Sequence, residues 1–402
     1  MKSTNALISL EQALERLLAL ADRVPVLDLE LVSLEDAAGR VLAESVVAGM
    51  DLPPWPNSAM DGYALRLADW QGQAMPVSQR ILAGAVPSPL NPGTCARIFT
   101  GAPLPPGADT VEMQENVELD ADGCARLPAT LQLGQNVRPQ GHEARAGEVL
   151  LAPGTRLGPI ELGLVASAGY AQVPVRTRLA VGLISTGDEL VEPGRPLGLG
   201  QIYNSNRTLL NAWLERLGCK VIDGGILPDD PEQTRQRLSE LSGVDVILST
   251  GGVSVGEADF LGQVLREHGE LDLWKLAIKP GKPLTVGHYA GTPVIGLPGN
   301  PASTLVTFGL LARAYLLRRM GAASQALNFI DLPAGFTWAK AGARREFLRA
   351  RIEQGQIVPH TNQSSGVLRS AAWADGLVEI REGRLIEQGE LVPFVAFSEL
   401  LN

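Results

Sequence analysis

From Leu179 to about Met320 the chain alternates apolar runs of strand length with runs of helical periodicity, and that alternation leaves few folds open. Residues 179–184, 219–227, 244–248, 271–278 and 294–297 read as strands. Residues 208–217 read as a helix that turns Leu209, Leu210, Trp213, Leu214 and Leu217 inward, with Gly218 just past its end. Asp230 followed by Pro231 opens another helix, and a third, from Ala302 to about Met320, closes the unit. Such a stretch of ~140 residues folds as an α/β layer around a mainly parallel sheet, with ligands bound beyond the C-terminal strand ends.

The chain has 402 residues, more than one core of ~100–200 residues holds, so domains are expected on either side. Ser9 and Gln12 have capping-box spacing ahead of a helix that buries Leu10, Ala13, Leu14, Leu17 and Ala21. Ser33 and Asp36 predict a second short helix with Leu34, Ala37, Ala38, Val41 and Leu42 as its stripe. Pro53, Pro54 and Pro56 then force an extended path and mark a boundary. Residues 63–150 carry short alternating runs and read as mostly β, residues 158–168 as a helix. After Asp331 the runs 348–352, 377–380 and 391–397 read as strands of a small β domain.

A formal charge of −10 argues against a nucleic-acid partner, so an anionic ligand needs a local basic cluster. Cys95, Cys124 and Cys219 are far apart and odd in number, which predicts reduced thiols and a cytoplasmic setting. Glu11, Glu15 and Arg16 interrupt the apolar core that a signal peptide needs. The run 302–317 is broken by Arg313 and is shorter than the ~18–20 apolar residues of a bilayer span, so no membrane partner is expected.

Chemistry concentrates in turns that leave the apolar strands. Ser185-Thr-Gly-Asp-Glu-Leu190 offers hydroxyls and two carboxylates, with capping by Asp188 as the structural alternative. In Pro228-Asp-Asp-Pro231, Asp230 is the cap and Asp229 is free for another task. Leu248-Ser-Thr-Gly-Gly-Val-Ser-Val-Gly-Glu-Ala-Asp259 is either a tight connection or an anion hole, in which glycines let amides converge on phosphate and acids add a metal side. Lys275, Lys279 and Lys282 converge if Pro280 and Gly281 turn the chain, which suits a pyrophosphate or an oxyanion. In Gly296-Leu-Pro-Gly-Asn-Pro-Ala-Ser303 the helix start offers free amides, while Asn300 as cap and Pro301 as first residue read equally well. His142, His268, His288 and His360 form no HExxH or HxH pattern, and GxSxG and GxxxxGK[ST] are absent. Together these turns describe a phosphorylated ligand handled with a hard divalent ion.

Asn57-Ser-Ala-Met-Asp-Gly-Tyr63, Phe99-Thr-Gly-Ala102, Ser185–Leu190, Gly251–Gly256 with Asp259, Lys279-Pro-Gly-Lys-Pro283 and Leu297-Pro-Gly-Asn-Pro301 occur in one order along the chain. In this the chain resembles the molybdopterin molybdenumtransferases, the MoeA proteins, related to the gephyrin E domain. The resemblance implies domains at 1–50 with 146–176, 51–145, 177–328 and 329–402, the third a MogA-like α/β domain and the last β-barrel-like. It implies an elongated homodimer in which the second domain faces the partner's cleft, and contact with molybdopterin adenylyltransferase and other cofactor-synthesis proteins.

The implied reaction inserts molybdenum from molybdate into adenylylated molybdopterin and releases AMP, with Mg2+ assisting. On this basis Asp61, Thr100, Glu189, Asp229 and Asp259 are catalytic, and Glu189, Asp229 and Asp259 hold metal. Arg138, Gly251, Gly252, Ser254, Lys275, Lys279, Lys282, Pro298, Asn300, Pro301, Arg349 and Ser370 bind substrate. Gly141-His-Glu143 departs from the family pattern of Gly, an acid, then Asp, and Glu143 supplies a carboxylate one methylene longer. The alternatives are a molybdopterin adenylyltransferase, against which the residues ahead of the α/β unit argue, and a gephyrin-E-like scaffold, which needs no acid and lysine set.

Overall fold

The computed structural model describes residues 7–252 and 260–401. At its centre is a six-stranded sheet in the order Lys220–Leu227, Ala180–Thr186, Val246–Thr250, Thr292–Leu297, Pro283–Tyr289, Gly269–Lys275. The first four strands run parallel, and the last two pair antiparallel. Val246–Thr250 and Thr292–Leu297 are buried along their whole length, as central strands covered on both faces must be. Pro283–Tyr289 is a strand the hydrophobic pattern does not announce, because Gly287 and His288 interrupt it. It turns into Thr292–Leu297 through Ala290 and Gly291, whose φ values of 48° and 84° give a two-residue hairpin turn.

The predicted 271–278 strand is divided. Gly269–Lys275 stays in the central sheet, while Ile278–Lys279 crosses to pair with Arg345–Glu353 of the C-terminal sheet.

Helices cover the sheet where capping residues start them. The Asn204 carboxamide oxygen accepts from Arg207 N–H at 3.2 Å ahead of Ser205–Leu217, which ends at Gly218 with φ 90°. Asp230 accepts from Gln233 N–H at 2.7 Å ahead of Pro231–Glu240. Pro301–Thr307, a π-helical turn Phe308–Ala312 and Arg313–Arg319 form the closing helix. The Leu10–Ala21 helix starts with its capping box and packs Ala13, Leu17 and Ala21 into the same core as Leu317 and Met320.

The predicted second helix does not form. Ser33 Oγ accepts from Asp36 N–H at 3.3 Å, but Gly39 at φ 74° ends the turn, and Val41 and Leu42 bridge Arg156 and Val175 as extended backbone. Leu42 is buried with Val46, Leu157, Val173 and Val175, and Val41 in the α/β core with Leu179 and Leu217, so packing against distant segments overrides the local period.

A separate four-stranded sheet runs in the order Val77–Ile81, Cys95–Ile98, Gly62–Leu65, Thr110–Met113. The C-terminal sheet runs Ile278–Lys279, Arg345–Glu353, Gly376–Ile380, Leu391–Ala396, Ile330–Pro333, with Gln356–Pro359 paired to Arg345–Glu353. Ile330–Pro333 and Gln356–Pro359 are further strands not read from the pattern, and Ala334 bridges Ile357 to bring them together. Cys95, Cys124 and Cys219 are free thiols. Among the described residues no helix is long and apolar enough to cross a membrane.

Candidate active-site cleft

The C-terminal ends of the parallel strands open on a cavity of about 770 Å³. One wall is Gly251 and Gly252, which leave Val246–Thr250 at φ 90° and 61°. A side chain is excluded here on two counts: the left-handed backbone favours glycine, and a Cβ on Gly251 would lie 2.6 Å from Thr186 O. Beside it, off the neighbouring strand, Pro298, Gly299, Asn300 and Pro301 line the cavity ahead of the closing helix. Pro301 is the first helical residue, but Asn300 makes no side-chain cap. Ser254 and Asp259 lie outside the described residues.

A polar seam ties these walls together and was not foreseen. Asn206 Nδ2 donates to Thr250 Oγ1 at 2.8 Å and to Gly299 O at 2.7 Å, spanning the two turns. Among the described residues, neither Asn206 Oδ1, which can only accept, nor Thr186 Oγ1 has a hydrogen-bond partner. The signal was Ile202-Tyr-Asn-Ser-Asn206, a polar run just ahead of the predicted 208–217 helix.

Glu189 and Asp229 line the cavity from the ends of adjacent strands. Asp188 is no helix cap, since the short strand Leu190–Val191 follows it; its Oδ1 accepts from Asp229 N–H at 3.0 Å. Burial, then the charge of Asp188 and further that of Glu189, push the Asp229 carboxyl above the usual range. Carboxylates this crowded suit a divalent ion, although no three Asp, Glu, His or Cys side chains converge as a ligand set among the described residues.

The lysines sit beside this cavity rather than in its lining: Pro283 reaches it, directly after Lys282. Gly281, at φ 104°, makes the turn that brings Lys279 and Lys282 to one loop. Lys279 Nζ is 3.0 Å from Glu346 Oε2 on the C-terminal strand.

Asp61, Thr100 and Arg138 form a separate group on the second domain. Thr100 N–H and Oγ1–H donate to Asp61 Oδ1 at 2.8 and 2.7 Å, and these bonds, aided by the charge of Arg97, hold the carboxyl below its usual range. Arg138 joins them because Val137–Arg138 pairs with Asn57–Ser58, a few residues before Asp61. None of the three lines the cavity. Glu143 is exposed, with its N–H bonded to Leu52 O at 2.8 Å.

Three family models match in succession: the MoeA N-terminal region (domain I and II) over residues 8–169, a probable molybdopterin binding domain over 182–318, and the MoeA C-terminal region (domain IV) over 331–397. A molybdopterin molybdenumtransferase of Haemophilus influenzae is 38% identical over 98% of this chain and 100% of its own length. The chain belongs to the MoeA family. A molybdopterin molybdenumtransferase of Synechococcus elongatus is 38% identical over 90% of this chain and 93% of its own. A crystal structure of the molybdopterin biosynthesis MoeA protein of Pyrococcus horikoshii OT3 superposes with a TM-score of 0.81 at 29% identity, covering 97% of this chain and 100% of that one.

In this MoeA-family chain the C-terminal domain also reaches the cavity, through Gly366. Arg349 is fully buried and organises that approach: Nε donates to Ser370 Oγ at 3.1 Å and Nη2 to Ser364 O at 3.1 Å. Burial pushes its guanidinium down to about 10, and Nη1 has no partner among the described residues. Ser365 O accepts from Ala302 N–H at 2.9 Å, so the loop held by Arg349 and Ser370 rests on the cavity wall.

Proposed function

We propose that this MoeA-family protein is a molybdopterin molybdenumtransferase that takes molybdate and adenylylated molybdopterin, inserts molybdenum at the dithiolene sulfurs and releases AMP. The observation that carries the reading is a cavity at the strand ends with a glycine turn on one side and Glu189 and Asp229 on another, in a chain collinear with molybdenumtransferase relatives.

Gly251 and Gly252 leave room for the phosphate or pterin of the substrate, while Pro298, Asn300 and Pro301 line the cavity beside them. Lys275, Lys279 and Lys282 offset the negative charge of molybdate and pyrophosphate, with Arg349, held by Ser370, adding positive charge behind the C-terminal loop. Glu189 and Asp229, with Asp259, are the acids that would hold Mg2+, which supplies charge neutralisation at the phosphate being cleaved. Asp61, kept ionised by Thr100, and Arg138 act across a homodimer cleft, the second domain of one subunit facing the α/β domain of the other. We also assign to the reading a MogA-like α/β domain at 177–328, a barrel-like C-terminal domain at 329–402, and contact with the adenylyltransferase that supplies the substrate.

The test is AMP release from purified adenylylated molybdopterin on addition of molybdate. ATP-dependent formation of the adenylate instead would assign the earlier reaction, and neither activity with an intact fold would leave a scaffold.

A further inference from the structure

We propose that Glu346, on the C-terminal domain, is a positioning residue for Lys279, holding its ammonium group so that its remaining N–H donors point to the incoming oxyanion. The inference rests on the reading that Lys279 meets molybdate or phosphate.

Ile278–Lys279 leaves the central sheet and pairs in parallel with Arg345–Glu353, placing Lys279 opposite Glu346 in register. Arg345 N–H donates to Ala277 O at 2.9 Å and Arg344 Nη1 to Ile278 O at 3.3 Å, so the C-terminal domain grips the backbone of the lysine loop as well. Lys279 Nζ and Glu346 Oε2 are 3.0 Å apart, yet the side chains differ sharply in exposure, 55% for the lysine and 12% for the glutamate. A half-exposed ammonium is already hydrated and needs no partner, whereas a nearly buried carboxylate is costly to keep there. The neighbouring Arg345 is engaged by Glu11, Glu379 and Glu382, which leaves Glu346 to the lysine. An ammonium has three donors, and one bond to a fixed carboxylate restricts the long side chain while leaving two for a ligand. The ion pair between Lys279 and the nearly buried acid thus couples the C-terminal domain to the chemistry of the α/β unit.

The experiment measures molybdenum insertion by the full-length protein against molybdate concentration. Glu346→Ala is expected to raise the molybdate KM about five- to tenfold with kcat within about twofold, and Glu346→Gln, which keeps an acceptor, to recover most of the loss. The double variant Glu346→Ala/Lys279→Ala should be no worse than Lys279→Ala alone. An unchanged KM in a folded Glu346→Ala protein overturns the proposal, as does a loss confined to kcat and Tm that Gln does not rescue. Should the alanine variant not fold, Glu346→Asp withdraws the carboxylate by one methylene and must raise KM for the proposal to stand. Full molybdenum insertion by Lys279→Ala would overturn the reading of the site itself, whereas impairment there with normal Glu346 variants would overturn this inference alone.

Discussion

Thr100 gives both its backbone N–H and its hydroxyl to one oxygen of Asp61, Oδ1, at 2.8 and 2.7 Å. Both bonds favour the ionised carboxylate and hold its pKa below the ordinary value. Whatever stability they add is present above the ordinary Asp range and is lost as pH falls through the depressed value. Thr100→Ala removes the hydroxyl bond and leaves the amide bond, so the Asp61 pKa rises. The acid limb of the kcat/KM profile should move to higher pH, and Thr100→Ser should restore it. An NMR titration of the Asp61 carboxyl follows the same shift without turnover.

Gly251 and Gly252 can be tested by adding one methyl. Gly251→Ala places a Cβ 2.6 Å from the backbone oxygen of Thr186, at a φ of 90° that L residues rarely take. The expected cost is about 1–3 kcal/mol in urea unfolding, together with weakened binding of adenylylated molybdopterin. Gly49→Ala is the control: a Cβ there meets nothing within 4 Å, and its stability should stay within about 1 kcal/mol.

How much of this was legible beforehand depended on whether a local rule was in force. Asp230 with Pro231, Ser9 with Gln12 and Gly218 announce helix ends because capping is satisfied within a few residues. Val41 and Leu42 misled because their helical spacing is real but their burial partners lie far along the chain, Leu179 for Val41 and Val175 for Leu42. The division of 271–278 between two sheets was hidden for the same reason, since Arg345 and Glu346 decide where Ile278 and Lys279 go. Glycines and acids of the cleft stood out as chemistry leaving strands. Asn206 did not, because its work is a bond to Gly299, 93 positions away.

Asn206 therefore provides the next prediction. Its amide donors hold Thr250 Oγ1 and Gly299 O, so the two walls share one side chain. Asn206→Ala leaves these acceptors without that donor and should cost about 1–3 kcal/mol in thermal or urea unfolding. Asn206→Asp should cost more, because it keeps the volume but sets a carboxylate oxygen against a carbonyl. A milder effect from Asp than from Ala would mean that the donors are not what joins the walls.

Asp229 separates stability from function. Burial and the charges of Asp188 and Glu189 raise its pKa, so the ionised form is the less stable one in the folded protein. For a raised carboxyl the sign is fixed: stability is gained as pH falls through the folded pKa and is reduced once the group ionises. Asp229→Asn keeps the shape and removes the repulsion, so the ligand-free protein should unfold at the same or a higher urea concentration near pH 7, with a gain under about 1 kcal/mol after solvent screening. If Asp229 helps hold a divalent ion as proposed, molybdenum insertion should fall at least about a hundredfold, since the amide cannot supply the charge. Paired urea melts and AMP-release assays decide the matter. Loss of stability in step with activity would make Asp229 a structural residue, whereas a stable, inactive variant means that the crowding of acids is maintained against stability for what the site binds.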